Sequence, residues 1–136
     1  ELSSPGGLLA EGRVVIEVLE DFARRRPLDT RVRSGEICLS MCVPIFLTGE
    51  NRIAAPSSRF MFHEPTAHDL FTDEEIRRPA FEQRMDSERF FRRYFEDSPM
   101  DPEWGERLKA EWVGVDVWKT GRELVEEGSG VVTELR

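Results

Sequence analysis

The sequence predicts an α/β fold built on a parallel sheet, and three features predict it. The chain opens with an extended stretch that runs into a Gly-Gly turn, continues as an amphipathic helix, and then offers a short apolar strand. Strand, helix, strand is the order in which a chain builds parallel pairs, because the helix carries the chain back before the next strand begins. At 136 residues and 39% apolar content, one domain spanning residues 1–136 is expected. The opening Glu1-Leu2-Ser3-Ser4-Pro5-Gly6-Gly7 reads as the end of a strand entering a turn, so a truncated start, lacking a first strand and helix, is expected too.

The elements follow in order. Val15, Val18, Leu19 and Phe22 stand at i, i+3, i+4 and i+7, with Leu8 a heptad earlier, which predicts a helix over residues 8–25 with that stripe inward. Pro27 ends it, and residues 28–32 read as extended up to the Ser34-Gly35 turn. Residues 37–39 suit a buried strand, and the apolar run of residues 40–47, with Pro44 tolerated in a first turn, suits a short buried helix. Residues 52–55 and 58–62 read as strands on either side of Pro56, the second delivering His63 at its end. Residues 73–95 predict a long charged helix, broken at Pro79 or continuous, with Ile76, Phe81, Met85, Phe90 or Phe91 and Tyr94 as its stripe. Helical turns at 103–110 and 120–127, an extended 113–117 and a last strand at 131–135 complete the reading.

Charge and composition exclude several classes. A net charge of −8 disfavours attraction to phosphate backbones, so no nucleic-acid partner is expected. The longest apolar run, residues 41–47, is far short of the roughly 20 residues of a spanning helix. Cys38 and Cys42 are too few for a disulfide framework; two buried thiols and one local disulfide both remain open to them. A metal site on His63, Glu64 and His68 is disfavoured because Pro65 interrupts the segment and the spacing is not the i, i+4 of a helical zinc motif.

Four separate segments carry what nucleophilic hydrolysis needs: a nucleophile at a helix start, amides for an oxyanion, a base, and a carboxylate to orient the base. Ser40 stands in Cys38-Leu39-Ser40-Met41-Cys42 at the entry to an apolar helix. Ser4-Pro5-Gly6-Gly7 is a turn whose glycines let backbone N–H groups approach a ligand. His63 ends an apolar strand, where an imidazole costs free energy unless it is paired. Read singly, each has an ordinary structural explanation: a helix cap, a turn, a satisfied histidine.

Together, Ser-Pro-Gly-Gly, a Ser-Met pair opening a helix, the strand end Ser58-Arg59-Phe60-Met61-Phe62-His63-Glu64-Pro65, and a late Glu-rich helix ending at Gly128 resemble the ClpP family of serine proteases. The flanking Cys38 and Cys42 resemble a divergent bacterial branch of ClpP-like proteins. The resemblance covers nearly the whole chain and implies a ClpP/crotonase-like spiral of βαβ units. It further implies Ser40 as nucleophile, His63 as general base, and the amides of Gly7 and Met41 as oxyanion donors, with no metal or organic cofactor. For the acid, Asp69, Asp73, Asp86, Asp97, Asp101 and Asp116 all follow His63; matching residues 120–128 to the family's closing helix favours Asp116, with Trp118 at an aromatic position. Leu39 departs from the family's small residue before the serine, and Leu2-Ser3 from its Ile-Asn.

The implied function is a peptidase acting on peptide or protein substrates. Two alternatives stand beside it: a non-catalytic peptide-binding or assembly module on the same fold, and a crotonase-type acyl-CoA enzyme using the same amides. The 73–95 segment resembles the handle helix through which such proteins associate, so a homo-oligomer is one reading and a solvated surface the other. Ring assembly and docking to an unfoldase do not carry over, and the compartment, bacterial cytoplasm or periplasm, is left open.

Overall fold

The computed structural model describes residues 1–68 and 75–136. In chain order the elements are α1 (Leu9–Ala23), β1 (Asp29–Val32), β2 (Ile37–Leu39), α2 (Cys42–Leu47), β3 (Asn51–Ala54), β4 (Arg59–Phe62), β5 (Ala67–His68), β6 (Glu75–Ile76), α3 (Ala80–Phe91), α4 (Pro102–Glu111), β7 (Val117–Thr120), α5 (Gly121–Glu126) and β8 (Glu134–Leu135). A wider π-type turn, Arg92–Glu96, continues α3.

Two three-stranded sheets form the frame. The first runs β1-β3-β8 and is parallel throughout. The second runs β2-β4-β7, with β2 and β4 parallel and β7 antiparallel to β4. Ser4 adds a parallel bridge to Cys38 at the free edge of β2, so the opening stretch lies along that sheet. The mixed α/β architecture with parallel pairs agrees with the expectation. The antiparallel β7 departs from it, since the chain reaches this strand through α4 and a turn rather than a βαβ crossover.

The alternation in β4 shows how sequence becomes sheet. Phe60 and Phe62 are buried and Arg59 faces solvent, as period-two alternation requires. Phe60 packs edge-on against Phe46 of α2 with ring centroids 5.2 Å apart, and Phe62 against Trp104 of α4 at 5.5 Å. Phe91, Phe95 and Trp112 extend this aromatic cluster beneath α3. Arg52 of β3 is buried among carbonyls: its guanidinium donates to the backbone oxygens of Gly49, Glu50, Gly130 and Val131, and burial lowers its pKa.

Several expectations are corrected. Helix α1 exists, but it buries Gly12 and Ile16, with Leu19 half-buried, while Val15, Val18 and Phe22 are exposed. Its inward face is decided by closeness of approach: a Cβ at Gly12 would lie 2.2 Å from Met41 Cγ, so only glycine fits there. Helix α3 starts at Ala80, directly after Pro79, which agrees with the expected break at that proline, but the described residues before it, 75–79, are not helical. Its buried face is Ser87 and Phe91, continued by Phe95, whereas Ile76, Phe81 and Met85 are exposed, because only the second half of the helix covers the aromatic cluster. Residues 113–115 form a turn, not a strand; β7 begins at Val117, and the last strand is confined to Glu134–Leu135. Cys38 and Cys42 are joined in a disulfide with Cα atoms 5.2 Å apart, which closes the two-thiol alternative.

Candidate active site

Strands β2 and β4 run parallel with Leu39 opposite Met61, so both chains leave the sheet at the same edge. Ser40 and His63 are the residues that follow each strand's end. Carboxyl ends of parallel strands are where α/β folds gather ligand-binding groups, because the chain turns outward there. Ser40 adopts φ 55°, in the left-handed region, the sole non-glycine to do so among the described residues. That conformation costs a non-glycine residue about 1–2 kcal/mol and has to be imposed by its surroundings. Here the Ser40 amide donates to Met61 O at 2.9 Å, and the Ser40 carbonyl accepts from Val43 N–H at 3.0 Å.

The turn lifts the side chain from the sheet edge toward the imidazole. Ser40 Oγ lies 2.6 Å from His63 Nε2, within hydrogen-bond reach, and both residues are half-buried. Gly6, at φ 96°, packs on the other side of the serine. A Cβ there would stand 2.8 Å from Ser40 Cβ and from Leu39 O, so the close approach and the backbone conformation both require glycine. The Ser4 hydroxyl accepts from Gly6 N–H and so holds the turn.

The predicted oxyanion donors sit beside this pair in chain terms. Gly7 follows the glycine that touches Ser40, and Met41 follows Ser40 itself. Among the described residues no acceptor takes the amide hydrogen of either. Gly7 lies in open surroundings, with nothing within 4 Å of a Cβ built there, whereas the Met41 side chain is buried beneath α1 at Gly12. Helix α1 thereby packs directly on the residue next to the serine.

The carboxylate is only partly in place. Asp116 is exposed and lines the same cavity of about 390 Å³ as His63, together with Trp112 and Gly114, but no hydrogen bond joins it to His63. Of the other described acids, Asp86 pairs with Arg78 and Asp101 caps α4 by accepting from Trp104 N–H, while Asp97 lines a separate cavity between α1 and α3. Asp69 and Asp73 lie outside the described residues.

Glu64, which the sequence offers as part of the strand-end motif and as a disfavoured metal ligand, holds a neighbouring turn in place. One carboxylate oxygen accepts from the Ser87 hydroxyl of α3, and the other accepts from Gly114 N–H at 3.0 Å. The residue after His63 thus anchors the turn that leads to Asp116. Its place directly after the histidine was the only signal in the sequence.

No family model matches this chain, and no curated protein sequence matches it. Among solved structures it is similar to a point mutant of ClpP1 from Listeria monocytogenes, at TM-score 0.64 and 22% identity, over 99% of this chain and 70% of that one. The likeness establishes a ClpP-like fold.

Proposed function

We propose that the chain is a serine hydrolase, most specifically a peptidase, that works through an acyl-enzyme on Ser40. The observation that carries this reading is the 2.6 Å approach of Ser40 Oγ to His63 Nε2 with the serine held in a left-handed turn. In the proposed step, Nε2 takes the hydroxyl proton as Oγ attacks the carbonyl carbon of the scissile amide. The resulting oxyanion accepts from the amides of Gly7 and Met41. Collapse breaks the C–N bond, the departing amine takes the proton from His63, and water then releases the acyl group by the same route in reverse order. Asp116 is the proposed orienter of His63, and it has to close on the ring to act.

The same reading takes residues 1–136 as one domain of a ClpP/crotonase-like spiral. A peptide or protein substrate, self-association into a homo-oligomer, and chemistry needing no cofactor belong to it. A second reading keeps the fold as a peptide-binding module without turnover, and the missing Asp116–His63 hydrogen bond is what favours it.

A fluorophosphonate probe separates the two, because it reacts only with an activated serine. We expect labelling of the native protein at Ser40, abolished in Ser40→Ala and strongly reduced in His63→Ala. An unlabelled native protein overturns the hydrolase reading. Binding of an acyl-CoA by that unlabelled protein, measured by calorimetry, would then identify the crotonase-type alternative.

A further inference from the structure

The Cys38–Cys42 disulfide closes a ring of chain over Leu39, Ser40 and Met41. Its two ends are buried in regular structure on either side of the serine. Cys38 is central in β2, bridged to Ser4 on one side and paired with Phe60 of β4 on the other. Cys42 is the first residue of α2, and both cysteines lie in the core at 0% and 2% exposure. Between these anchors Ser40 is kept at φ 55°. A crosslink four residues long constrains the unfolded chain less than a long-range one does, since the entropy removed grows with the loop closed. What it fixes in the folded chain is the turn that carries the serine.

We propose that Cys38 and Cys42 are positioning residues for Ser40, and that their bond makes the reactivity of Ser40 conditional on oxidation. The inference rests on the reading of Ser40 as a nucleophile. With the bond closed, the distance from strand end to helix start is set, and the left-handed turn is the way the chain spans it. With the bond open, residues 39–41 gain freedom to return Ser40 to negative φ, which rotates Oγ away from His63 Nε2 and moves the Met41 amide with it. Opening takes two electrons and two protons from a dithiol, which ends as its own disulfide while two thiols appear on the protein. Because both sulfurs are buried, that exchange has to await local opening of the turn, so the closed form persists under mild reduction.

The test compares the oxidised protein, the dithiol-reduced protein with its thiols counted, the reoxidised protein, and the Cys38→Ala/Cys42→Ala variant. Saturation labelling with a fluorophosphonate separates the maximal rate from the half-saturating concentration. Opening the bond is expected to lower the maximal rate about tenfold or more while half-saturation holds, as a displaced nucleophile requires. Reoxidation restores the rate, and the variant is indifferent to dithiol. A general loss of fold would instead lower the amount labelled. The ¹⁵N resonance of His63 Nε2 gives a reading independent of turnover, and it is expected to shift when the bond opens. Equal maximal rates and an unmoved resonance in folded, opened protein overturn the proposal, as does outright unfolding on reduction, which would make the bond a general crosslink. If the oxidised protein is not labelled at all, the hydrolase reading fails, and the resonance alone decides: a shift supports the positioning role and its absence overturns it.

Discussion

Ser40 and His63 meet because two parallel strands end at the same edge of the sheet, β4 one residue beyond β2, and each residue contributes one thing its neighbours cannot. Ser40 supplies an oxygen on a backbone that points it out of the sheet, and His63 supplies a nitrogen 2.6 Å away. Asp116 is at the same cavity without a bond to the ring. If it closes on His63 during reaction, Asp116→Ala lowers the maximal rate of probe labelling about a hundredfold or more while the melting temperature holds, because an exposed carboxylate contributes little to the core. An unchanged rate would remove Asp116 from the mechanism. Gly12 is another residue whose identity is dictated by contact. Gly12→Ala forces a Cβ into Met41 and is expected to destabilise the fold by about 1–3 kcal/mol, readable by thermal melting.

Elements were legible in the sequence to different depths. The strands on either side of Pro56 and the helix at residues 42–47 stood out because short apolar runs between turn residues leave few alternatives. The inward face of α1 did not, since periodicity counts apolar side chains and Gly12 has none. Its burial comes from how closely the helix approaches Met41, a property of the packed molecule. Ser40 and His63 were readable through the order of short motifs, whereas the anchoring by Glu64 required knowing that Ser87 and Gly114 come to it from 23 and 50 residues away. Helix α5 was expected as a helical turn over residues 120–127, and in the structure its start is fixed by Thr120 and Glu123, which form a reciprocal cap.

That cap carries a pH dependence. Glu123 has a lowered pKa because the Thr120 amide, and then the Thr120 hydroxyl, bond its carboxylate. Burial pushes Glu127 upward, but the Lys119 ammonium and the Trp104 indole N–H outweigh it and leave its pKa lowered as well. A depressed folded-state pKa gives stability that is present above the unfolded-state value and lost as pH falls through the folded one. Melting temperature is therefore expected to drop as pH falls below the ordinary glutamate range. Thr120→Val should cost about 1 kcal/mol near neutrality, with the gap to the native protein narrowing in acid as Glu123 takes its proton. A gap that stays constant would show that the cap contributes nothing to acid sensitivity.

Across the whole molecule, Arg52 ties the first sheet to the chain's last residues. Removing a charged donor that serves four backbone carbonyls takes away the partner of two buried and two part-buried acceptors. Arg52→Met is thus expected to cost about 3 kcal/mol or more by urea unfolding, with Arg52→Lys recovering only part, since an ammonium cannot reproduce the fork of the guanidinium. A near-neutral Arg52→Met would mean that water replaces the guanidinium at no cost.

The partners of Arg52 at Gly130 and Val131 lie 78 and 79 residues further along, and β4 waits for β7. On a ribosome adding 5–20 residues per second, the interval is roughly 3 to 16 s. For that time both future catalytic candidates are already made while the strands beside them have open edges. Until β8 reaches β3 and β7 reaches β4, the sheet edges that frame the Ser40–His63 pair stay open, so the pair is the last part of this fold to be held in place.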